Sequence, residues 1–498
     1  MELKGREKQI VDERIKKTNE LRTEGINPYP YRFERTTNCA ELQKKYEKLE
    51  NEKSTKDTVK IAGRLMSKRD LGKISFAKLE DQDGSIQIVS QEGETSEEVR
   101  NLFKKFVAAG DFVGIEGTVM RSKRGELSIL IKKLEILSKS VYPLPGEHYG
   151  LEDKEERYRK RHLDLIVNKE VKEVFKTRSK IIEAVRDFMR ERGFMEVETP
   201  TLQTKHGGAS ARPFKTNINA WGIDMYLSIA PELYLKRLIV GGFEKIFTIC
   251  KNFRNEGVDH SHNPEFTMLE AYQAYADYND MMKLIEECWE YVALKVLGTT
   301  KVKRKVDGKN TEIDFKAPWK RMTTAEAIKK YAKIDIEKSS AKELQEFCKK
   351  NKIEIDKNAS WGKCVEEILG EFVESKVVGP VHIYDRPKEG TPLCKRHREN
   401  KDLNEQCEPL CAGMEVGNIY SELNDPMLQE EAFDEQLKLK ESGDDEAHEK
   451  DEEFLDALRQ GMPPTGGIGW GIDRMVILMT GVESIRDIIL FPTMKPEN

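Results

Sequence analysis

No apolar run in this 498-residue chain approaches the length of a membrane span, and its opening, MELKGREKQIVDERIKK, has neither an apolar core nor a small-residue cleavage site. The expectation is a cytoplasmic protein. Cysteine is sparse: eight are scattered without a dense framework, which fits reduced thiols better than a disulfide scaffold. Positive charge is not in excess either. Lysine and arginine total 84 against 89 aspartates and glutamates, a formal net charge of −5, so the chain does not read as a coat for nucleic acid, although local basic patches are allowed. The glycine-rich stretch Gly466-Gly467-Ile468-Gly469-Trp470-Gly471 lacks the Gly-Lys-Ser/Thr ending of a Walker loop and the spacing of a dinucleotide fingerprint. The length suits two or three domains with a sizeable core.

What is present centres on Phe247 to Tyr272, FTICKNFRNEGVDHSHNPEFTMLEAY. Two alternating runs flank a polar loop from Gly257 to Asn263, the pattern of an antiparallel hairpin with a long tip. Strand parity puts Arg254 and Glu256 on one face, and Phe266, Met268, Glu270 and Tyr272 on one face of the returning strand. With His262 and Asn263 at the loop, these residues make a poor core and a good pocket for something phosphorylated and aminated. Arginine offers a fixed fork of donors to a phosphate, and the Phe266 ring a surface for a base. The bland alternative is a solvated hairpin with an internal Arg/Glu pair.

Taken in order, residues 1 to about 30, with sparse apolar positions at Ile10, Ile15 and Leu21, suggest a surface helix ending near Gly25 and broken by Asn27-Pro28-Tyr29-Pro30. From Val59 to Ser138 short alternating runs give three strands with a turn at Asp83-Gly84, a helix capped by Ser96, then strands at Phe112 to Val119 and Glu126 to Ile136. That is the order of an OB-fold barrel, whose strand faces bind single-stranded nucleic acid. Lys60, Arg64, Lys68, Arg69, Lys73, Arg121, Lys123 and Arg124 are candidates to track a phosphate backbone, with Phe76 as a stacking surface. The alternative is a small barrel with Phe76 in its core. A linker punctuated by Pro143, Pro145 and Gly146 follows. Arg178 to Arg192 reads as an amphipathic helix stopped by Gly193, and Phe194 to Pro200 as an extended strand. Residues 206–214, HGGASARPF, form a glycine loop able to close over a ligand, and Glu232 opens a helix after Pro231. Asp280 to Leu297 is a second amphipathic helix. Residues 300–390 are lysine-rich and read as an inserted peripheral subdomain without a concentrated site.

Cys407 to Glu422, CEPLCAGMEVGNIYSE, reads as a second hairpin. A two-residue turn at Ala412-Gly413 sets Leu410 opposite Glu415 and brings Glu408 diagonally onto the same face, two carboxylates suited to Mg²⁺ shared with substrate phosphates. Asn418 and Glu422 have the opposite parity, so they join that face only across a bulge, expected at Gly417. A charged, exposed hairpin is the alternative. Cys394, His397, Cys407 and Cys411 have tolerable zinc spacings, but ordinary thiols are the favoured reading. Alternate glycines at 467, 469 and 471 clear one strand face for a flat ligand, with Arg474 just beyond.

Together these stretches resemble the class II aminoacyl-tRNA synthetases of subclass IIb, in the lysine-specific branch, over nearly the whole length. The helix, strand and Pro200 resemble motif 1, FRNEG with HNPEF motif 2, and GIGWGIDR motif 3. The resemblance implies an α+β chain: a helical lead over 1–55, an OB-fold anticodon domain over 56–140, a linker over 141–155, and a catalytic domain over 156–498 with an antiparallel sheet flanked by helices and an insertion at about 300–390. It implies a homodimer through the motif 1 helix and the Pro200 region, and tRNA(Lys), ATP and L-lysine as substrates. Arg254 and Arg474 are the implied catalytic residues. Arg254, Glu256, His262, Asn263, Phe266, Glu415, Val416, Gly471 and Arg474 are implied for ATP; Gly208, Glu232, Arg254, Glu270, Tyr272, Asn418 and Glu422 for lysine. Glu408 and Glu415 are implied for Mg²⁺, and Phe76, Gln87 and Glu126 for the anticodon. Lys4, Arg6, Lys8, Arg14, Lys16 and Lys17 form a basic cluster open to tRNA, although a solvated helix is the favoured reading there. An aspartate or asparagine enzyme of the same subclass is the nearest rival, and would need a cation for the substrate's side-chain carboxylate. A noncatalytic nucleic-acid-binding relative is the more distant one.

Overall fold

The computed structural model describes residues 5–145, 151–306, 308–356, 358–441 and 450–497. Contacts divide it into two units, Met1–Glu152 and Asp153–Asn498. Part of the expected linker (146–150), Lys4 and, within the expected catalytic domain and its insertion, Asp307, Lys357, 442–449 and Asn498 lie outside the described residues.

In the first unit α1 (Gly5–Thr23) stops just before Gly25, where φ is +76°, a left-handed conformation that glycine adopts without strain. Its buried face is Val11, Thr18 and Leu21, while Ile15 is exposed. After α2 (Cys39–Lys45), the strands β1 (Ser54–Asp70), β2 (Ile74–Glu80) and β3 (Ser85–Gln91), the helix α3 (Glu97–Phe106), and β4 (Phe112–Arg121) and β5 (Leu127–Ser138) close a barrel in the order β1-β2-β3-β5-β4. Alternate residues such as Ile61, Leu79, Ile88, Ile115 and Ile129 fill it, and Phe103 and Phe106 of α3 join Leu21 and Leu42 of the leading helices in the same core. Period-two burial on short strands is what closes this barrel, as an OB-fold requires. Three of the basic residues expected to face a backbone are occupied within the unit. Lys68 donates to the carbonyls of Phe103, Lys104 and Val107 at the end of α3, Arg64 to Gly110, and Arg121 to Gly125 and Tyr46. Arg14 of the N-terminal cluster is likewise tied to the carbonyls of Ser140 and Ala109.

The second unit opens with α4 (Lys154–Arg159), α5 (Arg161–Val167) and α6 (Lys169–Glu191), the last beginning well before the expected Arg178. Then come β6 (Met195–Glu196), β7 (Leu202–Gln203), β8 (Lys215–Ile218), β9 (Ile223–Leu227), α7 (Glu232–Val240), β10 (Lys245–Phe253), β11 (Glu265–Ala274) and α8 (Tyr278–Leu297). Next are β12 (Lys301–Val306), β13 (Lys309–Asp314), β14 (Lys320–Thr323), α9 (Thr324–Tyr331), α10 (Ala341–Lys350), α11 (Trp361–Phe372) and β15 (Val381–Pro387). The chain ends with β16 (Leu403–Cys411), β17 (Met414–Glu415), β18 (Gly417–Ser421), α12 (Pro426–Glu441), α13 (Glu452–Arg459), β19 (Thr465–Gly471), α14 (Ile472–Thr480) and α15 (Ile485–Ile488). The main sheet runs β14-β15-β16-β18-β19-β11-β10-β6, antiparallel except at its two ends, with β17 beside β16. Helices α6, α8 and α14 cover one face, burying Val185, Phe188, Met281, Cys288, Trp289 and Val476 against Phe247, Leu269 and Trp470.

Two expectations change here. Of Phe194 to Pro200 only Met195 and Glu196 pair as a strand, parallel to β10. More importantly, 300–390 is not wholly peripheral. Its strands β14 and β15 extend the main sheet beside β16, and only the helices between them build a separate core around Ile328, Leu344, Ile368 and Leu369. Those strands are short and flanked by lysines, so their alternation does not stand out in the sequence.

Candidate functional site

The first hairpin pairs from Lys245↔Gln273 to Phe253↔Glu265 and stops there. Arg254 adds one more backbone bond, from its N–H to Pro264 O at 2.9 Å, and Glu256 belongs to the loop; the two share no strand face, yet both line the cavity that the expectation placed them in. The loop is pinned instead by Asn255 N–H on Arg212 O at 2.8 Å, which ties it to the glycine loop at 206–214. The returning strand behaves as expected. Phe266, Met268, Glu270 and Tyr272 share a face and line a cavity of about 470 Å³, a size suited to a small-molecule substrate. The Arg254 guanidinium lies 5.1 Å from the centroid of the Phe266 ring, and burial pulls its pKa down against the pull of Glu256 and Glu415.

β19 is the floor. It runs between β11 and β18 with Ile468 and Trp470 turned into the core, so Gly467, Gly469 and Gly471 present bare backbone to the cavity. A Cβ on Gly467 would stand 1.8 Å from Glu422 Oε1 and 2.7 Å from the Tyr272 ring; one on Gly469 would stand 3.1 Å from Met268. The cleared face is thus required by its neighbours.

The second hairpin supplies a wall. Ala412 and Gly413 both have positive φ, +52° and +73°, the geometry of a tight two-residue turn, and Leu410 pairs with Glu415 as expected. Further along Cys407 pairs with Ile419, so the returning strand has gained one residue. Gly417 lies within this bulge, where a Cβ would approach Gly469 O to 2.9 Å. The shift turns Asn418, Tyr420 and Glu422 to the cavity together with Glu415 and Val416. Glu408 is the exception. It does not line the cavity: Arg386 holds its Oε2 at 2.9 Å and Gln406 donates to its Oε1 at 3.3 Å.

One end of the cavity is a cluster of buried charge. Glu232, at the start of α7, Glu270 and Glu422 are all buried, and Tyr272 donates to Glu270 at 3.2 Å. Gly208, at φ +87°, lies where a Cβ would meet those of Glu232 at 3.0 Å and Ala230 at 3.1 Å. Burial pushes Glu422 up to about 8, with Lys236 pulling the other way, and raises Glu232 and, well above the ordinary range, Glu270. Lys236 itself is held up: burial would lower it, but Glu232 and Glu422 outweigh that. At the other end, Arg474 in the first turn of α14 donates to Glu415 O at 2.5 Å. His262 is exposed and held by Asp259 through its N–H at 2.8 Å; Asn263 is buried and donates to Glu265 O at 2.6 Å. Phosphate-binding cations and a flat glycine floor at one end, and carboxylates at the other, can hold a nucleotide against an aminated carboxylic acid.

Comparison with known proteins agrees with this geometry. The model of the family "tRNA synthetases class II (D, K and N)" matches residues 153–495, and the "OB-fold nucleic acid binding domain" matches 59–137. The chain belongs to the class II tRNA synthetases. Among its relatives, the lysine–tRNA ligase of Clostridium novyi (strain NT) is 49% identical over 98% of this chain and 94% of its own length. The lysine–tRNA ligase of Thermoanaerobacter sp. (strain X514) is 49% identical over 97% and 96%, and lysine–tRNA ligase 2 of Methanosarcina mazei 47% identical over 98% and 94%.

In this synthetase the barrel residues singled out from the sequence lie together on the outer face. Phe76, half-buried and not in the core, pairs across to Val89, and Gln87 pairs with Lys78 and Ser128 and donates to Glu126 Oε2 at 3.1 Å. The four zinc candidates are not brought together as a site. Cys394 donates to Glu405 O, Cys407 lies 3.5 Å from His382 Nδ1, Cys411 donates to Val378 O, and His397 accepts from the Glu399 and Asn400 N–H groups. Among the described residues no group of three or more His, Cys, Asp or Glu side chains is placed to hold a metal ion. Sequence reading missed two charged residues of the synthetase's site. Lys236 is one turn from Glu232, the spacing of an ordinary surface pair, and Arg386, in β15, carries no pattern signal at all.

Proposed function

We propose that this synthetase is a lysine–tRNA ligase, joining L-lysine to tRNA(Lys) at the expense of ATP and releasing AMP and diphosphate. The observation that carries the reading is the trio of buried carboxylates, Glu232, Glu270 and Glu422, at one end of a cavity whose other end carries Arg254 and Arg474. Burying carboxylates is costly unless cations meet them, and a substrate with two ammonium groups supplies those cations. The names of the relatives point the same way.

In the first step an oxygen of the lysine carboxylate forms a bond to the α-phosphorus of ATP as the bond to diphosphate breaks. Arg254 meets charge on the carboxylate and the α-phosphate, so catalysis is mainly positioning and charge stabilisation. Glu256 takes the adenine amino group, and Phe266 and Arg474 enclose the ring; His262, Asn263, Val416 and Gly471 complete the nucleotide site. Gly208, Glu232, Glu270, Tyr272, Asn418 and Glu422 hold lysine. In the second step a terminal ribose hydroxyl of tRNA attacks the carbonyl carbon of lysyl-adenylate and AMP leaves. Glu415, which lines the cavity, would hold Mg²⁺, and Glu408, the other carboxylate implied for the metal, would join it only by giving up its contact with Arg386. Bound there, Mg²⁺ would neutralise the leaving diphosphate, a role that needs only one or two protein carboxylates. Phe76, Gln87 and Glu126 read the anticodon.

An aspartate enzyme fits less well. The cation nearest the three glutamates is Lys236, and it is taken up by Glu232 and Glu422. The chain pairs as a homodimer through α6 and the Pro200 region, a reading supported by the exposure of Met195 and Leu202 beside them, and sedimentation velocity tests it. Among the described residues no helix is long and apolar enough to cross a membrane, and the protein works in the cytoplasm. ATP–diphosphate exchange with lysine, aspartate and asparagine in parallel decides the substrate. Exchange dependent on lysine alone is expected; exchange driven by aspartate or by no amino acid contradicts the reading.

A further inference from the structure

Lys236 is fully buried, 0% exposed, on α7 one turn beyond Glu232. Its ammonium has Glu232 Oε1 at 2.6 Å, Glu422 Oε2 at 2.5 Å and the Leu393 carbonyl at 3.4 Å. Two of these oxygens are hydrogen-bonded and the third, on Glu422, is an ion-pair contact, so the charge of the ammonium is taken up within the protein. Glu422 differs in having an oxygen to spare. Neither of its buried oxygens has a hydrogen-bond partner among the described residues; Oε2 meets Lys236 as an ion pair, while Oε1 has no such contact and is the atom a Cβ on Gly467 would strike, so it faces the cavity above the glycine floor.

We propose that Lys236 is a positioning residue for the substrate: it grips one oxygen each of Glu232 and Glu422, and so presents the free oxygen of Glu422 to the side-chain ammonium of lysine. The role rests on the lysine–tRNA ligase reading given above. Charge distinguishes it from an inert internal ion pair. Glu232, Glu270 and Glu422 bring three carboxyl groups into one buried cluster, where burial and mutual repulsion favour protons on them. A protonated Glu422 is a poor partner for an ammonium. Lys236 opposes that protonation, and it is the cation in contact with Glu422, since Arg254 acts on Glu270 nearer the mouth. The remaining titratable neighbours, Tyr272, Cys394 and Tyr420, are pushed upward by burial and stay neutral. With Lys236 and Arg254 against the three glutamates, the fully ionised cluster has one negative charge in excess, which is the complement of lysine's one positive charge.

The test is ATP–diphosphate exchange by the full-length protein between pH 6.5 and 9, with lysine and ATP varied separately. The variants are Lys236→Met, Lys236→Gln, Glu422→Gln and the double variant Lys236→Met/Glu422→Gln, each checked for folding by circular dichroism. Lys236→Met is expected to raise the lysine KM at least about tenfold with the ATP KM within about threefold, and to move the acid limb of lysine binding to higher pH. The double variant is expected to bind lysine no worse than Glu422→Gln, because Lys236 acts through that carboxylate. Should the methionine variant not fold, Lys236→Gln, which keeps N–H donors without the charge, has the same expected outcomes. A wild-type lysine KM in a folded variant, equal losses for ATP and lysine, or multiplying losses in the double variant would overturn the role while leaving the ligase reading intact. A wild type without lysine-dependent exchange overturns that reading, and this role with it.

Discussion

At the scale of single residues, the site depends on what is absent at Gly467 as much as on what is present around it. Gly467→Ala is expected to weaken lysine binding about tenfold or more, through crowding of Glu422 and Tyr272, while ATP binding changes little; separate KM values check it. The pH dependence has a definite sign. Glu422, raised from 4.5 to about 8 by burial, binds its proton more tightly folded than unfolded, so its contribution to stability is full below about 4.5 and fades as the pH rises through about 8. Lysine reverses that loss by supplying an ammonium. The rise in melting temperature on adding lysine is therefore expected to be larger at pH 8.5 than at pH 6, as differential scanning fluorimetry would show; a smaller rise at pH 8.5 contradicts the placement of the ammonium on Glu422. Glu422 was reached in the sequence through the family resemblance, with a bulge at Gly417 needed to bring it onto the face of Glu415, and that bulge is present. Lys236 was not: a lysine four residues after a glutamate on a helix is what any solvated surface carries, and only the fold shows that this face is buried.

At the scale of elements, α6 and α14 are locked to β11 by one ion pair. Arg178 reaches Asp473 at 2.6 Å, and Asp473 also accepts the Thr267 N–H at 2.8 Å. Removing the guanidinium leaves a buried carboxylate without its cation, so Arg178→Met is expected to cost about 3 kcal/mol, read from the urea midpoint. A midpoint unchanged within error would show that the pair adds nothing. The parity that placed Phe266 to Tyr272 is not what brings Arg254 and Glu256 to the cavity, because FRNEG mimics alternation while its backbone follows the loop contact to Arg212. Alternation identifies side chains that share a strand face, and it says nothing once the ladder ends. The strands within 300–390 were hidden for a related reason: four residues of β14 are too few to show a period, and their pairing with β15 spans the whole helical insertion.

At the scale of the whole molecule, the division of labour is between a barrel that offers an outer face to nucleic acid and a sheet that offers a cavity to small molecules. Phe76→Ala is expected to raise the tRNA KM about tenfold through loss of one stacked base, while lysine-dependent exchange without tRNA keeps its rate. Loss of both together would place Phe76 in folding rather than recognition. The order of the parts was readable from the chain because each part carries its own local pattern: the barrel's alternation, the two hairpin signals and the glycine strand. Pairing of β19 between β11 and β18 was not, since register between distant segments leaves no local trace. The most direct single test of lysine recognition by buried carboxylates is lysine-dependent ATP–diphosphate exchange by Glu422→Gln beside the wild type, both shown to be folded. The expected result is a lysine KM raised about a hundredfold, by the loss of a buried charge partner, with a near-normal ATP KM. A variant that takes lysine as readily as the wild type would contradict the claim.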